Sequence, residues 1–313
     1  MRRSLLAATL LATIALAAPA SAQQPGGEAW PAATLPLTET QVIRSAVNGR
    51  EYHIAVALPM RYHAAGADTT RYPVLYVLDG GAHLPMLASM FRFSNRGGRS
   101  GDVIMVGIGY YAPGTFTAPP PGQTSQRNID YPPAPYPTAD ASDTSAAIRR
   151  ADAAGFLRAL REEIIPLIER RYRTSGERAL EGHSLGGLFA TYALLEDPDL
   201  FDRYAIMSPF YQWDGGSMFE REARFRASRQ GLDKDVFFAV GGREGAAFIG
   251  GMWRMVAALC DGRAAGNYRG LRIRAEVVPD EPHNSGVLLG RALSALYPPP
   301  GIQPDSEDVC AFR

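Results

Sequence analysis

Arg178-Ala179-Leu180-Glu181-Gly182-His183-Ser184-Leu185-Gly186-Gly187-Leu188-Phe189-Ala190-Thr191-Tyr192-Ala193-Leu194-Leu195 is the stretch that decides the fold. A strand-like run ends at Glu181. The apolar and small residues from Leu185 to Leu195 read as a buried helix. Between them, Gly182-His183-Ser184-Leu185-Gly186 is a G-x-S-x-G pentapeptide with a further glycine behind it. A serine set between strand and helix, with glycine two residues away on either side, reads as a nucleophile elbow. Such a turn is sharp and strains Ser184, while the glycines let strand and helix pass closely. The hydroxyl then stands at a helix N-terminus, where free N–H groups and the dipole favour negative charge.

The rest of the chain supplies strands and helices in alternation. Val42–Ser45 and Glu51–Ala57 read as a hairpin around Asn48-Gly49. Tyr72–Leu78 and Val103–Ile108 are continuous apolar runs, as in strands covered on both faces. Tyr204–Met207, Val236–Val240 and Ile273–Val278 follow the elbow, with helical stretches at Phe219–Ser228, Phe248–Leu259 and Leu288–Leu296 between or after them. Ala146–Arg171 carries Phe156, Leu160, Ile164 and Ile168 at helical spacing, with Pro166 expected to kink or interrupt it. Strands alternating with helices predict a mostly parallel sheet covered on both faces, preceded by an antiparallel hairpin. Residues 110–143 lose all periodicity and are rich in proline, so they are expected to be an active-site loop or cap.

A serine at neutral pH needs a base, and the base needs an orienting carboxylate. In a fold built around this elbow the chain order is serine, acid, histidine. His283, in Asp280-Glu281-Pro282-His283-Asn284-Ser285 after the last strand, is the one histidine downstream of the elbow. Glu244 follows the strand Val236–Val240 and is the expected acid, with Asp214 and Asp280 as rivals. The N–H of Leu185 and that of Gly81, after the strand Tyr72–Leu78, are the expected oxyanion donors. Arg127, Tyr131, His83 and Trp213 are the candidate substrate contacts. No metal-ligand spacing and no glycine-rich nucleotide fingerprint occurs, so neither metal nor cofactor is expected.

Arg2-Arg3, an apolar run from Leu5 to Ala18 and Ala20-Ser21-Ala22 form the pattern of a secretory signal peptide cleaved near Ala22. The run is short of the roughly 20 residues of a membrane span. Periplasmic or secreted location is therefore expected, with residues 23–36 a flexible leader, 37–298 the folded domain and 299–313 a tail. Lys plus Arg number 32 and Asp plus Glu number 32. That balance offers no general attraction to nucleic acid or to an anionic membrane. Oligomeric state is not readable. The two cysteines, Cys260 and Cys310, are expected to pair in an exported protein.

Several segments together resemble one family. They are Y-P-V-L-Y-V-L-D-G at 72–80, F-L-R-A-L-R-E-E-I-I-P-L-I-E-R-R-Y at 156–172, G-H-S-L-G-G-L-F-A at 182–190, M-S-P-F-Y-Q-W at 207–213 and H-N-S at 283–285. This combination is similar to the esterase D-like branch of the α/β-hydrolases, which includes siderophore esterases, S-formylglutathione hydrolases, feruloyl esterases and mycolyltransferases. Arg127-Asn128-Ile129-Asp130-Tyr131-Pro132-Pro133 resembles an R-x-x-D-x-x-P segment of the siderophore esterases. The resemblance implies an α/β-hydrolase fold, catalytic roles for Ser184 and His283, and oxyanion donation by Gly81 and Leu185. It carries Glu244 over less directly, because family members differ in this acid. The expected function is hydrolysis of a small-molecule carboxylic ester, a siderophore trilactone among the candidates. The alternatives are an acyltransferase with the same machinery and a non-catalytic binding protein on the same scaffold.

Overall fold

The computed structural model describes residues 34–95, 102–110, 125–135, 150–213, 215–298 and 308–312. The expected signal peptide and most of the expected leader, cap and tail lie outside these residues. Eight strands form one sheet: β1 Thr38–Arg44, β2 Glu51–Ala57, β3 Tyr72–Leu78, β4 Ile104–Gly109, β5 Thr174–His183, β6 Arg203–Met207, β7 Asp235–Gly241 and β8 Arg272–Val278. Their order is β1-β2-β4-β3-β5-β6-β7-β8. The β1–β2 and β2–β4 pairs are antiparallel, and every pair from β4 to β8 is parallel. The predicted sheet and its leading hairpin are therefore present.

Alternation along the strands splits the core into two layers. Leu75, Val77, Ala205, Phe237 and Ala239 face Leu84, Leu87 and Phe91 of helix α1 (Gly80–Asn95) and Leu288, Leu293 and Leu296 of helix α8 (Gly286–Leu296). Val74, Tyr76, Leu78, Leu180, Ile206 and Phe238 share the opposite core with the other helices. These are α3 (Ala153–Ala159), α4 (Ile165–Arg171), α5 (Leu185–Glu196), α6 (Ser217–Ser228) and α7 (Ala246–Ala264), while the short α2 (Arg127–Asp130) lies against α3. β5, buried from Ala179 to His183, runs through the middle and delivers the elbow to the carboxyl edge of the sheet.

Three local features need a physical account. The hairpin around Asn48-Gly49 is present, with Arg44 paired to Glu51 and residues 45–50 forming its loop. Glu163 explains its width: its Oε1 accepts from the N–H groups of Ala46 (2.7 Å) and Val47 (3.2 Å). The expected helix is interrupted just ahead of Pro166. Leu160–Ile164 winds as a π-turn, with the Ile165 N–H reaching the Leu160 carbonyl. The wider winding redistributes the ladder just where proline lacks a donor. Helix α1 is absent from the sequence reading, since it opens on two glycines and contains Pro85, all poor helix formers. Packing decides it. A Cβ on Gly80 would lie 2.4 Å from the backbone of Gly107, so the helix starts pressed directly on β4.

Cys260 of α7 and Cys310 are joined as a disulfide, with Cα atoms 5.2 Å apart. It fastens the 3₁₀ turn Val309–Phe312 beside β8. No helix among the described residues is long and apolar enough to cross a membrane.

Candidate active site

Ser184 joins β5 to α5 with φ 60° and ψ −117°. A non-glycine residue rarely adopts such a conformation, and it persists only where the surroundings enforce it. Here the enforcement is backbone hydrogen bonding. The Ser184 N–H donates to the Met207 carbonyl (3.0 Å), and the Ser184 carbonyl accepts from Leu188 (3.0 Å) and Phe210 (3.2 Å). Glycine at 182 is obligatory, because a Cβ there would sit 2.2 Å from the Gly186 carbonyl oxygen. The first N–H groups of α5, Leu185 among them, lie ahead of the helical ladder that opens with Leu188. The N–H groups of Gly80 and Gly81 stand likewise ahead of α1, whose first bonds run from Ala82 (2.9 Å) and His83 (3.1 Å) to Asp79.

Glu244 and His283 occupy the loops after β7 and β8, which are neighbours in the sheet. Backbone bonds stitch these loops together: Gly242 N–H to the Val278 carbonyl (2.8 Å) and Arg243 N–H to the Glu281 carbonyl (3.0 Å). The side chains then meet, His283 Nδ1 lying 2.6 Å from Glu244 Oε2. The carboxylate is wholly buried, whereas the imidazole is one-third exposed. Glu244 Oε1 accepts from Ser208 Oγ (2.5 Å) and from the Gly241 N–H (2.6 Å). Burial alone would raise the pKa of Glu244. The bonds from His283, Ser208 and Gly241 outweigh it and hold the carboxyl below the usual range. An ionised carboxylate on Nδ1 fixes the tautomer that leaves Nε2 free to accept a proton.

His183 fastens the base to the elbow. Its Nε2 lies 2.7 Å from the His283 carbonyl oxygen, and the two rings are 4.6 Å apart. Burial, with His83 and His283 nearby, lowers its pKa to about 4. The ring is therefore neutral at neutral pH, and Nε2 carries the proton it donates to the carbonyl. The ring of Phe248 lies 4.7 Å from that of His283 and 5.3 Å from that of Phe210.

The four candidate substrate contacts turn inward. Tyr131 is fully buried among Tyr110, Phe156 and Phe189, so it belongs to the core and not to a substrate surface. Its hydroxyl accepts from the Asp79 N–H (3.0 Å). Arg127 donates from Nε to Asp79 Oδ1 (2.7 Å) and from Nη2 to the His183 carbonyl (3.3 Å). Both residues thus brace Asp79, which sits at φ +52° directly before Gly80 and Gly81. His83 faces the fully buried Glu181, Nδ1 and Oε1 being 3.3 Å apart without the alignment of a hydrogen bond. Trp213 is largely buried, and its indole N–H donates to the Ala134 carbonyl (3.2 Å). Of the rival acids, Asp280 pairs with Arg243 on the surface at 3.7 Å, and Asp214 lies outside the described residues.

Ser208 is the site residue that sequence reasoning missed. Its signal is a non-glycine φ of +43° at the end of β6, which no sequence pattern announces. Among the described residues no group of three or more His, Cys, Asp or Glu is placed to hold a metal ion.

An eight-stranded sheet in this order, with an elbow serine after β5 and acid and histidine after β7 and β8, is the α/β-hydrolase fold. The Esterase family model ("Putative esterase") matches residues 45–253, and the chain belongs to that family. Among curated proteins it is similar to the ferri-bacillibactin esterase BesA of Bacillus subtilis, 31% identical over 61% of this chain and 65% of the relative. It is also similar to the siderophore enterobactin esterase of Emericella nidulans, 31% identical over 56% of this chain and 58% of the relative. The matched part of the chain therefore spans less than two thirds of these relatives. Among solved structures, the BES protein from Bacillus cereus superposes with a TM-score of 0.71 at 25% identity, covering 86% of this chain and 98% of that one.

Proposed function

We propose that the protein is a serine hydrolase of carboxylic esters, acting through an acyl-enzyme on Ser184. The observation that carries this is the Glu244–His283 pair, fastened to the elbow by His183, the residue before the serine. In this reading His283 Nε2 takes the Ser184 proton as Oγ attacks the ester carbonyl. The tetrahedral oxyanion is held by the N–H groups of Leu185 and Gly81, both at helix starts. The alkoxide leaves with the proton from His283, and water deacylates the serine by the same steps reversed. Glu244 keeps Nδ1 protonated and stabilises the imidazolium.

The names of the matched relatives make a siderophore ester the first substrate to test. The signal-like amino terminus supports an exported enzyme, and N-terminal sequencing of the mature protein checks cleavage after Ala22. Ser184→Ala and His283→Ala should each lower turnover of p-nitrophenyl esters and of a catecholate trilactone by several orders of magnitude, on the order of 10⁶ at most. Glu244→Gln should cost less. Near wild-type turnover by Ser184→Ala, or failure of a fluorophosphonate to label Ser184, would refute the mechanism.

A further inference from the structure

The main-chain stitching between the acid and base loops ends at Glu281, short of His283. The Glu281 carbonyl takes the Arg243 N–H, and a Cβ on Gly241 would lie 2.3 Å from that carbonyl oxygen, so Glu281 is pressed against the acid loop. Beyond it the ladder stops. Pro282 has no N–H, and those of His283, Asn284 and Ser285 make no backbone–backbone hydrogen bond among the described residues. The base therefore rides on a span that its own backbone does not stitch.

Side chains close this span. Ser285 Oγ donates to Glu281 Oε2 at 2.5 Å, the short end of the range for a hydroxyl on a carboxylate. The same oxygen accepts from the Val287 N–H at 3.1 Å and so caps helix α8. A cap needs only an acceptor, and aspartate or asparagine would serve as well. The hydroxyl proton aimed at Glu281 is what capping leaves unexplained. Helix α8 is itself well anchored. A Cβ on Gly286 would lie 2.9 Å from Met86 Sδ, so the first turn of α8 lies directly against α1, the helix that starts with Gly80 and Gly81. The Ser285–Glu281 bond thus joins two fixed points, the acid loop and α8, with His283 midway between them.

We propose that Glu281 and Ser285 are positioning residues for the base, their bond closing the loop around His283 and holding the imidazole toward Ser184. The clasp works beside two contacts already described. His183 holds the His283 carbonyl and Glu244 holds Nδ1, but neither fixes the path of the chain from His283 to α8. Glu281 and Ser285 act through His283 and not on the substrate. The inference rests on the ester-hydrolase reading and names residues that reading leaves without a role. A reacting group displaced by about 1 Å can cost about a hundredfold in rate, so a loop clasp is enough to matter.

The test follows turnover of a p-nitrophenyl ester together with the proton NMR resonance of the His283 Nδ1–H, which a carboxylate partner shifts far downfield. Glu281→Leu removes the clasp and leaves the cap. It should lower kcat by about ten- to a hundredfold with KM within about twofold, and broaden the Nδ1–H resonance, while Tm changes little. Ser285→Asp keeps an acceptor for Val287 but has no proton for Glu281, so it should lose kcat likewise with α8 still capped. Ser285→Thr keeps both functions and should restore most of the turnover. The double variant Glu281→Leu/Ser285→Asp should lose no more than either single one, because both break the same bond. Near wild-type kcat in Glu281→Leu and Ser285→Asp overturns the proposal, and so does a raised KM with kcat unchanged. If Ser184→Ala abolishes turnover while Glu281→Leu keeps it, the clasp falls and the hydrolase stands. If Ser184→Ala still turns over ester, the hydrolase reading falls and the Nδ1–H resonance decides the clasp: unchanged in Glu281→Leu, it falls too; broadened, it stands.

Discussion

His83→Leu should be among the most destabilising single substitutions outside the candidate triad. Glu181 is wholly buried in β5, and neither of its carboxylate oxygens makes a hydrogen bond among the described residues. Its compensation is the His83 ring, 3.3 Å away on the first turn of α1. Removing one partner of a buried ion pair costs about 3–5 kcal/mol, because the other is left uncompensated. Replacing both by leucine restores an apolar contact, and such double replacements are often neutral or better. Urea unfolding at pH 7 should therefore show a loss of about 3–5 kcal/mol in His83→Leu and a substantial recovery in His83→Leu/Glu181→Leu. The pH dependence has a definite sign. Burial raises the pKa of Glu181 above its ordinary 4.5. Burial opposes charge on His83, but the facing Glu181 outweighs it and raises the imidazole above its ordinary 6.5. A group whose pKa rises on folding adds stability that is complete below its unfolded value and vanishes as pH climbs through its folded value. The pair's contribution should thus fade on the alkaline side, and the double leucine variant should lack that slope. A loss below about 1 kcal/mol in His83→Leu, the scale of an exposed pair, would refute the reasoning.

Other outcomes follow from single contacts. Ser208→Ala removes one of the bonds that hold Glu244 below the usual carboxylate range, so its pKa should rise. Ionisation is then lost at a higher pH as the medium is acidified. The acid limb of the pH–rate profile should move upward, and kcat should fall by about ten- to a hundredfold, from a charged hydrogen bond of about 1.5–3 kcal/mol. Gly80→Ala forces a methyl to within 2.4 Å of the Gly107 backbone and should cost at least about 1–3 kcal/mol, read as a lower Tm together with lower kcat. Cys310→Ser should lose about 2–4 kcal/mol, and reductant should lower the Tm of the parent but not of the variant.

The sheet and the positions of Ser184, Glu244 and His283 were legible because each depends on local pattern plus chain order. The apolar strand runs announce burial, and G-x-S-x-G announces a turn. What escaped depends on non-local packing. Helix α1 forms against its own propensity because Gly80 is needed against β4. Ser208 reaches Glu244 only because β6 and β7 are adjacent and Ser208 turns at positive φ. Tyr131, in a proline-rich segment, has the composition of a surface aromatic, yet Phe156 and Phe189 enclose it. His183 lies outside the serine–acid–histidine order, yet its ring ties the elbow to the His283 loop.

The stitching of the acid and base loops has an evolutionary consequence. Gly242 to Val278, Arg243 to Glu281 and Ser184 to Met207 are main-chain bonds, made by atoms present whatever the neighbouring side chains are. Drift in the surrounding residues can therefore change which molecules are admitted while the spacing of the three reactive groups is inherited intact. Selection on this scaffold can act on taste and leave the teeth alone.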